Sequence, residues 1–373
     1  MKIPFQDLRD SDKKLQPEIE AAVLGVIRSG RYLFGENVTG LEHELSEVVG
    51  SPYSLGVSNG LDALRLILEG YKALGRLKSG DEVIVPANTF IATFLSVAQA
   101  GLQPVVAEPS ELDFNLDFRK IKLGSRTKAI IPVHLFGTTC WDREVFEEAR
   151  HKGVLIIEDN AQALGAEASD AGFHGDRRAG HLGDASAISF YPAKNIGAYG
   201  DAGAVLTSDE ELATAIRKLA NYGSQTKYHH DLLGFNCRMD EIQAAILRVK
   251  LAHLEDVTNR RTLIAETYER HIRNPKIEKP IIFPDRRQVW HQYVIRSSER
   301  DRLREYLMEK GIQTEIHYPV PSHLQPCLRG VLPGIEAGQF PIAKKLAREI
   351  LSLPIANVNE EEAKYIASTL NDF

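Results

Sequence analysis

The sequence predicts an α/β protein built on a mainly parallel seven-stranded sheet covered by helices on both faces. Three observations predict it. Between about residues 50 and 210, short apolar runs alternate with amphipathic stretches. The runs are apolar almost throughout, which marks strands buried on both faces rather than one. Finally, Asp159 and Lys194 stand just after two of the runs, and in such sheets ligands bind beyond the carboxyl ends of the strands.

Taken in order, the expected strands are Ser54 to Val57, Glu82 to Val85, Pro104 to Ala107, Ala129 to Val133, Val154 to Glu158, Ala187 to Phe190 and Ala204 to Thr207. Amphipathic crossovers run from Asp62 to Leu74 and from Asp142 to His151. A long helical stretch from Met239 to about Arg273 links a large domain (1–250, with the N-terminal segment) to a smaller C-terminal α+β domain (251–373). Beyond it come Pro280, Pro284, Pro319, Pro321 and Pro326, then helical segments near Ile342–Leu351 and Glu360–Leu370. The uncharged stretch from Val83 to Ala107 is long enough to span a bilayer. It contains Pro86, Asn88, Gln99, Gln103 and Pro104, however, and breaks into strand, loop, short helix and strand, the interior of a soluble protein.

Composition narrows the function. A chain of 373 residues supports a large core, and 51 acidic against 45 basic side chains with no basic tract speak against a nucleic-acid binder. Cys140, Cys237 and Cys327 are far apart, without CxxC spacing, which indicates a reduced compartment and no structural metal site. The N-terminus turns polar at once, so no signal peptide is expected and the cytoplasm is the expected location.

Lys194 lies in Ser189-Phe190-Tyr191-Pro192-Ala193-Lys194-Asn195, followed by a glycine-punctuated loop. A desolvated lysine has a lowered pKa and a free amine. Asp159 ends the run Val154-Leu155-Ile156-Ile157-Glu158-Asp159. A Schiff-base lysine and an aspartate for a pyridinium nitrogen are the protein groups that pyridoxal phosphate chemistry requires. Ser58-Asn59-Gly60-Leu61-Asp62 ends a strand and opens a helix, a natural anion site. No GxGxxG supports a dinucleotide fold.

These segments resemble the sugar aminotransferases of the DegT/DnrJ/EryC1/StrS family over nearly the whole chain. The likeness includes Ile3-Pro4-Phe5-Gln6-Asp7-Leu8, Gly30-Arg31-Tyr32-Leu33-Phe34-Gly35, Pro86-Ala87-Asn88-Thr89-Phe90-Ile91-Ala92-Thr93, Glu158-Asp159-Asn160-Ala161-Gln162, Gly234-Phe235-Asn236-Cys237-Arg238-Met239-Asp240-Glu241 and His317-Tyr318-Pro319-Val320-Pro321-Ser322-His323. The resemblance implies the aspartate aminotransferase fold (fold type I) and pyridoxal 5′-phosphate, cycling through pyridoxamine 5′-phosphate. Lys194 would hold the cofactor as a Schiff base and shuttle the proton, and Asp159 would pair with the ring nitrogen. Phe90 would stack on the ring, Gln162 would approach its hydroxyl, and Ser189 with the backbone of Gly60 and Leu61 would hold the phosphate.

The resemblance also implies a homodimer with shared sites, Asn236 reaching the neighbour's phosphate. Arg238 is expected in a structural ion pair. Leu61 stands where a threonine is common, so a side-chain phosphate contact is lost, and Asn160 replaces a common alanine. Lys227, Tyr228 and His230, with His317, Tyr318 and His323, are the candidates for binding substrate. The branch most resembled aminates dTDP-linked 3-keto-6-deoxyhexoses with L-glutamate as donor; a C4-specific enzyme would share every cofactor residue. A dehydratase of the same fold carries histidine in place of the lysine, and Lys194 argues against it. The intact Lys194, Asp159 and Gln162 set, without an added DNA-binding segment, argues against a non-catalytic, cofactor-binding regulatory protein.

Overall fold

The computed structural model describes residues 2–168, 177–284, 286–332, 334 and 339–373. Seven strands make the central sheet: β1 (Tyr53–Val57), β2 (Glu82–Pro86), β3 (Gln103–Ala107), β4 (Thr127–Ile130), β5 (Leu155–Asp159), β6 (Ala185–Ser189) and β7 (Gly203–Thr207). Their order is β1-β7-β6-β5-β4-β2-β3. Only β7 runs against its neighbours; the other six are parallel, so their carboxyl ends open on one edge.

Helices cover both faces. They are α1 (Glu36–Val49), α2 (Gly60–Ala73), α3 (Ile91–Gln99), α4 (Arg143–His151), α5 (Glu210–Leu219) and α6 (Glu241–Leu251). On one face Leu64 and Ile67 of α2, Phe94 of α3 and Leu212 and Ile216 of α5 pack against Val83, Val85 and Val205. On the other, Leu41 and Leu45 of α1 and Leu247 of α6 pack against Ile188, Ala204 and Leu206. Local signals place the helix starts. Asn59, Asp142 and Asp209 each accept a backbone N–H as N-caps of α2, α4 and α5. Helix α5 carries Glu210 and Glu211 in its first turn and Arg217 and Lys218 in its last, matching the helix dipole.

A second core forms toward the C-terminus. Here α7 (Leu254–His271), α8 (Arg300–Glu309) and α10 (Glu360–Asn371), with α9 (Pro341–Glu349) between the last two in sequence, accompany an antiparallel pair, β8 (Tyr293–Arg296) and β9 (Ile350–Leu353). Tyr268, Tyr293, Leu303, Leu351, Leu353 and Ile366 fill this core, and Ile3 from the other end of the chain joins it.

Two expectations about elements are corrected. The stretch from Met239 is two helices, broken at Ala252–His253, not one. The break keeps Leu251 and Leu254 in the sheet core and sends Ile264 and Tyr268 into the second. The segment Ile342–Leu351 stops being helical at Glu349, because Ile350 onward pairs with Tyr293–Arg296 as β9. The uncharged stretch 83–107 divides into β2, α3 and β3. No helix among the described residues is long and apolar enough to cross a membrane.

Candidate active site

At the carboxyl edge of the sheet lies a cavity of about 490 Å³, lined among others by Gly60, Leu61, Phe90, Asp159, Gln162, Ser189, Lys194, His317 and Tyr318. Asp159 is the last residue of β5 and Ser189 the last of β6, while Gly60 follows β1 after a short turn. Gly60, Asp159 and Ser189, far apart in the chain, therefore share one wall because the strands deliver their ends to one place.

Asp159 is buried at the cavity floor. Its Oδ2 accepts from Thr93 Oγ1 at 2.8 Å and its Oδ1 from the Ala161 N–H at 3.2 Å. Burial raises its pKa, against the opposing hydrogen bonds from Thr93 and Ala161. These bonds come from a hydroxyl and a backbone amide, not from a cation. The carboxylate thus has unused capacity for a charged partner.

The preceding residue points the other way and does a different task. Glu158 accepts the N–H groups of Gly180, Leu182 and Gly183 at 2.7 to 2.8 Å, and its Oε2 lies 2.7 Å from His134 Nε2. His134 Nδ1 accepts the Cys140 N–H at 3.0 Å, so the ring proton sits on Nε2 and is donated to Glu158. This buried set fixes the end of β5 and with it the backbone of Asp159.

Lys194 sits in a tight turn after β6, its N–H donating to the Tyr191 carbonyl at 2.8 Å. Burial lowers its pKa to about 8, with Asp159 opposing the shift. An appreciable fraction of the amine is therefore neutral near pH 7, unlike that of a solvated lysine.

The start of α2 makes an anion cradle. The first N–H groups of a helix have no intrahelical acceptor. Asn59 caps only that of Asp62, at 2.8 Å. A Cβ on Gly60 would lie 2.7 Å from Ser189 Cβ, so the absence of a side chain there lets the Ser189 hydroxyl and the helix start face the same space. Leu61 lines the cavity but brings no side-chain donor.

Gln162 is oriented on both sides: its Oε1 accepts the Phe136 N–H at 2.7 Å and its Nε2 donates to Tyr318 Oη at 3.2 Å. One amide hydrogen is left over. Phe90 is 51% exposed, so it is no core residue; its ring stands 5.3 Å from that of Tyr318, which also lines the cavity. His317 Nδ1 is 2.8 Å from Ser352 Oγ, and burial pushes its pKa down to about 4, so the ring is neutral near pH 7.

The remaining candidates lie elsewhere in this chain. His323 is buried outside the cavity lining, its ring edge-on to Phe340 and its Nδ1 3.4 Å from the Ala87 carbonyl. Lys227, Tyr228 and His230 ride an exposed hairpin formed by Ser224–Thr226 and His229–His230. Asn236 is exposed, and Asp240, not Asn236, precedes α6 as N-cap residue. Arg238 forms no ion pair among the described residues. It donates to Asn221 Oδ1 at 3.0 Å and lies over the rings of Phe34 and Tyr222, which corrects the expected ion pair.

Sequence reasoning missed Thr93, which donates to Asp159, and the lining roles of Phe5, Gln6, His291 and Gln292. Phe5, Gln6 and Thr93 lie in segments singled out for their likeness, but nothing local showed which of their side chains face the site. Gln288-Val289-Trp290-His291-Gln292-Tyr293, a cluster of polar and aromatic residues before an apolar strand, was the available signal for His291.

The sequence profile of the DegT/DnrJ/EryC1/StrS aminotransferase family matches residues 13–371. The chain is 43% identical over 357 residues to the dTDP-3-amino-3,4,6-trideoxy-alpha-D-glucose transaminase of Streptomyces venezuelae, a match covering 95% of this chain and 91% of that one. It is also 43% identical over 374 residues to the dTDP-3-amino-3,6-dideoxy-alpha-D-galactopyranose transaminase of Aneurinibacillus thermoaerophilus, covering 100% and 99% of the two chains. Among solved structures, S. venezuelae DesV in complex with a ketimine intermediate superposes with a TM-score of 0.93 at 42% identity, covering 100% of this chain and 98% of that one.

Proposed function

Because the chain belongs to the DegT/DnrJ/EryC1/StrS aminotransferase family, we propose that it moves the amino group of L-glutamate to C3 of a dTDP-linked 3-keto-6-deoxyhexose. It is a pyridoxal phosphate-dependent sugar-nucleotide aminotransferase with the aspartate aminotransferase fold. The observation that carries the reading is the convergence of Lys194, Asp159 and the α2 start on one cavity. Choice of C3 and of dTDP rests on the two named transaminases.

The residues present fit the cofactor. A buried carboxylate with spare capacity suits a protonated ring nitrogen, a cradle that a Cβ on Gly60 would fill suits a phosphate, and a lysine with lowered pKa suits a carbonyl carbon. Bound there, pyridoxal phosphate supplies an electron sink for charge developing on the substrate carbon. Asp159 would pair with the ring nitrogen and supply the negative charge that keeps the ring electron-withdrawing. Lys194, whose lowered pKa leaves part of its amine neutral, would be the group that takes up and returns the proton of the donor carbon. Ser189 and the Gly60 and Leu61 amides would hold the phosphate, with Phe90 and Tyr318 side by side in the cavity lining. His317, neutral near pH 7, adds no charge to the wall that faces the sugar. The net exchange is balanced: glutamate becomes 2-oxoglutarate, and the carbonyl oxygen of the sugar is replaced by the amino group.

An absorbance spectrum taken before and after L-glutamate tests the first half of the reaction. A visible band is expected to give way to a shorter-wavelength one; no band after added pyridoxal phosphate would overturn the reading. Offering 3-keto and 4-keto sugar nucleotides in parallel then decides the position, with turnover of the 4-keto sugar alone reassigning the enzyme to C4.

Two subunits are proposed to complete each site. Leu233 is 97% exposed and Tyr228 85%, and both shortly precede exposed Asn236, large side chains suited to burial against a second copy. Asn236, with Lys227, Tyr228 and His230, would then act in the partner's cavity. A mixture of Lys194→Ala and Asn236→Ala chains provides the check. In a hybrid dimer one site keeps both an intact lysine and an intact asparagine, so mixing is expected to restore activity that neither parent has. No gain on mixing would mean that Asn236 serves its own chain or no site.

A further inference from the structure

The segment Val289–Gln292 is held more tightly than a cavity wall requires. The Val289 N–H donates to the Gly137 carbonyl at 2.9 Å, and the Gln292 N–H to that of Phe136 at 3.3 Å. From behind, buried Arg261 donates through Nη1 to the carbonyls of Trp290 and His291 at 3.0 and 3.1 Å. Gly137 has a φ of +96° and a Cβ there would lie 2.8 Å from the His291 nitrogen, so the two backbones meet without a side chain between them. The Phe136–Gly137 turn also carries the amide that orients Gln162.

Into this frame reaches Asn195, the residue after Lys194. Its Nδ2 donates to the Val289 carbonyl at 2.9 Å, and its Oδ1 lies 3.1 Å from His291 Nδ1. The orientation follows from the partners. A carbonyl only accepts, so the amide nitrogen must face Val289, and the amide oxygen then faces His291. That oxygen also only accepts, so His291 carries its proton on Nδ1. Charging the ring is opposed by burial and by Lys194, Arg261 and His317 around it. Its Nε2 is therefore left as a lone-pair acceptor on a residue that lines the cavity.

We propose that His291 is a positioning residue for Lys194: together with the Val289 carbonyl it holds both ends of the Asn195 amide and so locks the turn that carries the amine. The proposal rests on the transaminase reading. It assigns to a buried histidine a task that requires one ring nitrogen to be a donor and leaves the other to accept an N–H or O–H of the bound molecules. Arg261 supports it from the far side by holding the His291 carbonyl.

The experiment is the rate at which cofactor-free protein captures pyridoxal phosphate through Lys194, followed by the rise of the visible band, with melting temperatures recorded alongside. His291→Phe removes the donor and is expected to slow capture about tenfold, the loss of one buried hydrogen bond. His291→Asn keeps an N–H near the Nδ1 position and is expected to stay within about twofold of wild type. Where His291→Phe does not fold, His291→Gln replaces it, since its amide reaches toward Nε2 and leaves the Asn195 Oδ1 without its donor; the same slowing is expected. Equal rates in wild type and the slow variants, or an Asn variant as slow as the others, would overturn the proposal. Failure of the wild-type protein itself to capture the cofactor would instead sink the transaminase reading on which it stands.

Discussion

Replacing Lys194 by alanine is expected to reduce turnover by about 10³-fold or more, the scale of a positioned proton-transfer group lost together with covalent attachment. The protein should still fold, because the lysine amine contributes no packing to either core. It should still bind pyridoxal phosphate, because Asp159, Ser189 and the α2 start are untouched, yet the visible band of the lysine-linked cofactor should be missing. Added glutamate should then join the cofactor and go no further, since no amine is left to move the proton. Steady-state rates and spectra on one preparation check both parts. Activity within tenfold of wild type would remove Lys194 from the mechanism, whatever the spectrum shows.

Asp159→Asn separates chemistry from stability. The change is nearly isosteric and should lower turnover by about 10² to 10³-fold, as the loss of one preorganised electrostatic group does elsewhere. In cofactor-free protein the same change should be stabilising at neutral pH. Burial raises the pKa of Asp159 in the folded state above its unfolded value. Its contribution to stability is therefore most favourable below the unfolded pKa and is lost as pH rises through the folded one. Wild-type melting should fall relative to the variant over that window and converge with it in acid. Removing the anion also removes what opposes the drop in the Lys194 pKa, so the amine should become neutral at still lower pH. A variant that melts below wild type at neutral pH would show that the carboxylate is held by partners rather than kept ready for one.

Much of this architecture was legible in the chain because its strands are buried on both faces. All seven apolar runs became strands of one sheet, and Asp159 and Lys194 stood where strand ends put them. Direction was not legible. The run Gly203–Thr207 is as apolar as its neighbours, and nothing in its pattern says that it runs against them. The break at Ala252–His253 was hidden for a related reason: no glycine or proline marks it, and two separate cores, not local propensity, cause it. Helix α9 shares its spacing of apolar residues with Ile350, so the switch to β9 is imposed by the partner strand. His291 and Thr93 were unreadable as site residues because their roles depend on partners 96 and 66 positions away.

The position of β1 at the sheet edge bears on how the protein is made. Among the described residues its one partner in the sheet is β7, which follows it by about 150 residues. On the ribosome β1 therefore emerges long before anything exists for it to pair with, and its apolar residues must wait, exposed or held by others, until β7 is out. The phosphate cradle hangs from the end of β1 and faces the end of β6, so it too cannot be finished before β7 is out. A nascent chain stopped before residue 207 would carry Asp159 and Lys194 and still have no finished place to hold a cofactor.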